Sequence, residues 1–173
     1  GSRSGGYLSI GAGRINVLAD GSTPAEGLTF GNDDFARFAK ADQLRLSSYS
    51  TLDLYGDATL GSANLNELVL AAAGIAGHGG ASAKASIVAK KIVFENPSSD
   101  SSSFATSGLG GGTLDVSAEQ ITFGNNRSTQ TQRDAEETGF ALRGFDNVKL
   151  TASGDVRFVG LGVTAVDNST TFD

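Results

Sequence analysis

One phrase returns six times along this chain: a pair of alternating apolar residues, a corner of small residues, then a second alternating pair. It reads LSIGAGRINV from Leu8 to Val17, LRLSSYSTLDL from Leu44 to Leu54, LVLAAAGIAG from Leu68 to Gly77, ASIVAKKIVF from Ala85 to Phe94, LDVSAEQITF from Leu114 to Phe123 and VKLTASGDVRF from Val148 to Phe158. Two short strands about a tight corner cannot bury their own apolar face, so units of this size must stack on one another. The expected fold is all-β: a right-handed parallel β-helix, or β-solenoid, with loop insertions.

Alternation at period two sets Leu8 and Ile10, Leu44 and Leu46, Leu114 and Val116, and Val148 and Leu150 on a core face, with Ser9, Arg45, Asp115 and Lys149 opposite. Corners such as Gly11-Ala12-Gly13, Ala71-Ala72-Ala73 and Thr151-Ala152-Ser153 admit close backbone approach. At about 20 to 25 residues per coil the chain makes roughly seven or eight coils. The best helical stretches, Asp33 to Ala41 and Asp134 to Phe140, are only about two turns long, which argues against a doubly wound α/β fold. A sandwich of antiparallel hairpins is the competing architecture, because the phrases are unevenly spaced.

Residues 1–4 read as a scar of recombinant expression, and 5–173 as a single solenoid segment. Insertions interrupt it at 96–112, rich in Ser and Gly, and at 124–139, polar and charged. They read as surface loops or, in the functional alternative, as a binding face. No cap sequence is recognised at either end, so weak end-to-end association is expected. The third and fourth phrases are apolar on both faces (Val69, Ala76, Val88, Val93), and either the first insertion, with Phe104 and Leu109, or a partner domain is expected to cover them.

A net charge of -6 without clustered Lys and Arg argues against a nucleic-acid partner. The chain has no run of 18 apolar residues, so no membrane insertion is expected. Having no cysteine, it has neither disulfides nor thiolate metal ligands.

No catalytic, cofactor or metal residues are assigned. The aligned phrases give outward columns Ser9, Arg45, Val69, Ser86, Asp115, Lys149 and Asn16, Asp53, Ala76, Val93, Thr122, Arg157, and neither stacks two carboxylates as glycoside hydrolysis requires. Asp53, Asp115, Asp155 and the Asp33-Asp34 pair are the acid candidates for an enzyme. His78, the single histidine, cannot make a multi-histidine metal site. Gly108-Leu109-Gly110-Gly111-Gly112 followed by Asp115 resembles one turn of a calcium-binding Gly/Asp repeat, without the successive turns such a site needs. Tyr7, Tyr49 and Tyr55 could stack on sugars in a carbohydrate-binding module. The candidate ligand-binding residues are Tyr49, Tyr55, Phe104, Arg127 and Arg133.

Leu44 to Gly61 (LRLSSYSTLDLYGDATLG), Leu65 to Gly80 (LNELVLAAAGIAGHGG) and Ala85 to Pro97 (ASIVAKKIVFENP) resemble a region near the C-terminal end of filamentous haemagglutinin-like large exoproteins of Gram-negative bacteria. The run from Tyr49 to Gly56 is the most specific part. The resemblance implies a non-enzymatic structural or adhesive segment of a secreted or surface-displayed rod. Such rods are exported by two-partner secretion through an outer-membrane partner, and serve adhesion, aggregation or presentation of a terminal effector. The partners implied are that secretion protein, adjacent coils of the parent chain and a host-surface or glycan ligand. The rival class is a carbohydrate-active β-helix enzyme.

Overall fold

The computed structural model describes residues 5–19, 26–38, 40–97, 108–124, 140–159, 164–166 and 169–173. The alternating phrases are strands, and all the pairings among the described residues are parallel. Three sheets result. The first runs β1 (Tyr7–Ala12), β4 (Gln43–Ser48), β7 (Glu67–Ala71), β10 (Lys91–Glu95), β12 (Gln120–Phe123) and β15 (Val156–Phe158). The second runs β3 (Leu28–Gly31), β2 (Ile15–Leu18), β5 (Thr51–Tyr55), β8 (Gly74–Gly77), β13 (Phe140–Arg143) and β16 (Thr164–Val166). The third runs β6 (Thr59–Gly61), β9 (Lys84–Val88), β11 (Thr113–Ala118), β14 (Asn147–Ala152) and β17 (Ser169–Phe172). The sheets do not close on themselves.

From β4 to β10, and again from β12 to β17, the chain visits the first, second and third sheets in turn, each time one place further along. Where nothing is inserted, first-sheet strands begin 24 residues apart, at 43, 67 and 91. The described residues complete six strands of the first sheet rather than seven or eight coils, because the insertions and the segment before β4 consume chain without adding to it.

The six phrases are two kinds of unit. Those beginning at Leu8, Leu44 and Leu68 turn from the first sheet to the second; those beginning at Ala85, Leu114 and Val148 turn from the third to the first. Both corners demand small residues, so the sequence makes them look alike. The outward columns regroup accordingly. The first sheet carries Ser9, Arg45, Val69, Val93, Thr122 and Arg157. The second carries Thr29, Asn16, Asp53, Ala76 and Arg143. The third carries Thr59, Ser86, Asp115, Lys149 and Thr171.

Inward positions stack like on like. Leu44 sits on Leu68, then Ile92 and Ile121; Leu60 on Ile87, Val116 and Leu150; Ile15 on Leu52 and Ile75. All of these are buried. Each such side chain contributes about 1.5–3 kcal/mol of burial, so the shared core, not any single unit, holds the strands.

One edge is covered. After β2 the chain returns as β3, pairs outside β2, and continues into α1 (Asp34–Phe38), which packs against β3 and β6. Phe35 and Phe38, three apart on α1, join Phe30 with ring centroids 5.7 to 6.1 Å apart. The Asp34 carboxylate accepts the Gly31 N–H at 2.8 Å and fixes the helix entry. A cap therefore exists where no cap sequence is recognised, built on a helix that falls within the short helical stretch Asp33 to Ala41.

The chain passes from β10 to β11 without a described second-sheet strand, and β13 pairs directly with β8. Gly108–Gly112 lies in the intervening place. Gly110 N–H donates to Gly77 O at 2.8 Å, Gly111 N–H to Gly79 O at 3.0 Å, and Asp146 N–H to Gly112 O at 2.8 Å. A Cβ on Gly110 would stand 2.1 Å from Gly79 O, and one on Gly112, where φ is +87°, 2.4 Å from Ala83 O. The glycine run is thus a backbone-on-backbone strap rather than a turn of a calcium-binding repeat. No cluster of three or more metal-ligating carboxylate, histidine or cysteine residues occurs among the described residues.

Candidate functional site

Alternation in β5 turns Leu52 and Leu54 into the core and Thr51, Asp53 and Tyr55 outward. Asp53 is nevertheless only 2% exposed. A carboxylate there requires charged or donating partners, and three reach it. Thr51 Oγ1 donates to Asp53 Oδ1, two residues along the same strand face. Arg14, at the corner entering β2, brings Nε to 4.0 Å of Asp53 Oδ2. His78, just past β8, donates from Nε2 to the same oxygen at 3.0 Å.

The neighbours fix His78 on every side. Gly77 must lack a side chain, since a Cβ would meet the Phe145 ring at 2.5 Å. Tyr55 stacks on the imidazole, with centroids 4.5 Å apart and planes 14° from parallel. On the far side Nδ1 lies 2.7 Å from the Gly108 carbonyl oxygen at the head of the strap. The hydrogen bond to Asp53, above all, raises the imidazole pKa above its ordinary 6.5; the Gly108 carbonyl adds to this, while burial and the Arg14 charge oppose it.

A second feature lies at the opposite end of β5. Gly11, Ser47 and Ala71 are register neighbours and floor a cleft of about 230 Å³ that Ser48, Tyr49 and Pro97 complete. Ser48 Oγ donates to Thr51 O at 2.7 Å and Ser50 Oγ to Gly13 O at 2.8 Å. These bonds hold the corner from which Tyr49 projects, 82% exposed.

The candidate residues therefore separate. Tyr49, at the corner before β5, and Tyr55, at its last residue, lie at opposite ends of the strand and face different surroundings. Tyr7 is exposed on β1. Phe104, Arg127 and Arg133 lie outside the described residues, as does most of each insertion. Leu109 is half-buried in the strap. Part of the apolar outer face has another cover: the Arg45–Glu95 ion pair joins β4 to β10 across β7, over Val69.

The acid candidates do not face one another in register. Asp53 stands between Asn16 and Ala76, and Asp115 between Ser86 and Lys149. Asp155 is exposed and paired with Arg157 at 2.6 Å. Sequence reasoning had Asp53 and His78 separately but neither their contact nor the roles of Arg14, Thr51 and Gly108. The available signal was the pair of glycine-rich runs, Gly77 to Gly80 and Gly108 to Gly112, either of which can accept the other's backbone.

Comparison with family models, with curated proteins and with solved structures returns no match.

Proposed function

We infer that the chain is a right-handed parallel β-helix and a non-enzymatic structural or adhesive segment of a secreted or surface-displayed rod-like exoprotein. Its likeness to filamentous haemagglutinin-like sequences suggests export through an outer-membrane partner. The observation that carries this reading is the ordered return of the chain to three all-parallel sheets with apolar residues stacked on their own kind. Parallel crossovers favour the right hand, and such a stack extends by repetition.

The polar chemistry supports a structural role. Both His78 nitrogens are turned on acceptors within the fold, leaving neither as a base for a substrate. The cleft beside Tyr49 has no titratable carboxylate or imidazole among its lining residues. Incubation with a panel of acidic and neutral polysaccharides is expected to release no new reducing ends or unsaturated products. Beads coated with the chain should adhere to host-cell layers or immobilised glycans. Product release would overturn the reading, and beads that bind no better than uncoated ones would remove its adhesive half.

One observation favours a narrower version, carbohydrate recognition at the cleft: Tyr49 offers an exposed ring beside the Ser47 and Ser48 positions. Aromatic faces stack on sugar rings. Loss of glycan-array signal in Tyr49→Ala, with unchanged melting, is the expected result. Retention of the full signal removes this version.

A further inference from the structure

We propose that His78 fastens the Gly108–Gly112 strap to the second sheet as an imidazolium, so that the strap is held in acid and its Gly108 end is released as pH rises. The geometry requires two protons on the ring. Asp53 Oδ2, 3.0 Å from Nε2, and Gly108 O, 2.7 Å from Nδ1, are both acceptors. A neutral imidazole has one N–H and can serve only one of them.

On deprotonation the remaining N–H stays with Asp53, the stronger acceptor and a buried charge. The Nδ1 lone pair then faces the Gly108 carbonyl lone pairs, and the contact becomes repulsive. The adjacent bonds from Gly110 and Gly111 to Gly77 and Gly79 are next to open. The other end stays anchored: Gly112 N–H donates to Asp146 Oδ2 at 3.0 Å, and Gly112 O accepts the Asp146 N–H. Release therefore pivots at Gly112.

Asp53 and Tyr55 from β5 touch the ring and Arg14, from the corner before β2, acts on it; on β13 Arg143 is in register with Ala76, two residues before His78, and Asp146 holds the far end of the strap. Arg14 opposes the protonated ring and Asp53 favours it, and the direct hydrogen bond decides in favour of the proton. Because the folded pKa lies above the unfolded value, the stabilisation is complete below about 6.5, and it is lost as pH rises through the folded pKa.

The chain has a single histidine, so its imidazole resonances report His78 alone. Nitrogen-15 NMR of the whole chain should show both ring nitrogens protonated near pH 6, and a pKa above the ordinary value. Amide exchange of Gly110 and Gly111, expressed as protection relative to the unstructured chain at each pH, should fall along the same titration. The fall should be about tenfold for each unit by which the pKa with the strap closed exceeds the pKa with the strap open. The Leu46 and Leu70 amides in the core should keep their protection. Asp53→Asn should move the transition to lower pH, and His78→Gln should abolish it. If either variant fails to fold, the wild-type titration still decides. A singly protonated ring near pH 6, strap protection that does not follow the His78 titration, or simultaneous loss of core protection would each overturn the proposal.

Discussion

Two stacks run across the strands with opposite chemistry. Inside the first sheet, Phe94, Phe123 and Phe158 are register partners, with rings stacked at 4.7 and 5.1 Å. Outside the second sheet, Thr29, Asn16, Asp53, Ala76 and Arg143 form the corresponding column. Parallel in-register pairing places each residue beside its counterpart. Apolar repetition is additive under that rule, whereas like charges directly opposite are destabilising. The ladder can repeat itself and the polar column cannot, so Asp53 takes its partners from other segments: His78, Arg14 and the strand neighbour Thr51. Local chemistry concentrates where the repeat is broken.

The largest effect should come from breaking the ladder at its buried end. Phe94 is fully buried and also touches Phe140, with centroids 5.2 Å apart. Phe94→Ala should cost about 3–5 kcal/mol, read as a lower urea midpoint at unchanged slope. A loss below about 1 kcal/mol would mean that the neighbours collapse into the space. Next is Arg45→Met, which removes the cation from Glu95, itself 9% exposed, and should cost about 1–3 kcal/mol by leaving a largely buried acceptor group unmatched. A neutral result would show that Glu95 turns out to water.

Strap packing is the third comparison. Gly110→Ala places a methyl carbon on the Gly79 carbonyl oxygen; the atoms it meets are all backbone and the Cβ has no torsion of its own to turn it away. The expected loss is about 1–3 kcal/mol by overpacking, with faster exchange at Gly111. The ladder should not respond, and a changed environment at Phe94 would mean that the strap and the core form one cooperative unit.

The ladder was legible in the sequence and the polar column was not. Period-two alternation and small corners point directly to stacked parallel strands, because both are local consequences of the pleat and of backbone approach. Which phrases stack on which depends on the third-sheet strands. Thr59 to Gly61 has only three residues, too short to show an alternating pattern. Without it, aligning the phrases sets Ser86 and Asp115 in one column with Ser9 and Arg45, although they belong to different sheets. His78 and Asp53, 25 residues apart, meet because β5 and β8 pair at an interval of 23 residues, which sets His78 two places past Ala76, the register partner of Asp53, a period that the uneven insertions conceal. The helix of the cap lies within the helical stretch Asp33 to Ala41 that the sequence offers, but its place over the edge is not legible, since Phe35 and Phe38 make only a single helical contact pair on α1.

The smallest effect tests where the ladder stops being core. Phe158 stacks on Phe123 with planes 9° apart, yet it is 59% exposed, against 3% for Phe123. Phe158→Ala should therefore lose little beyond the stacking contact, about 0.5–1.5 kcal/mol, far less than Phe94→Ala. Phe172, paired with the buried Leu150, is exposed to a similar degree on the third sheet. Together they set two aromatic rings at the β15 and β17 edge, where the opposite edge has α1 and the Phe30 cluster. If Phe158→Ala costs as much as Phe94→Ala, Phe158 must be covered in solution. Sedimentation across protein concentration then identifies the cover: a loss that grows with concentration and a heavier species would mean end-to-end association through this edge. A concentration-independent monomer with the small expected loss would leave the exposure gradient along the ladder as a property of the single chain.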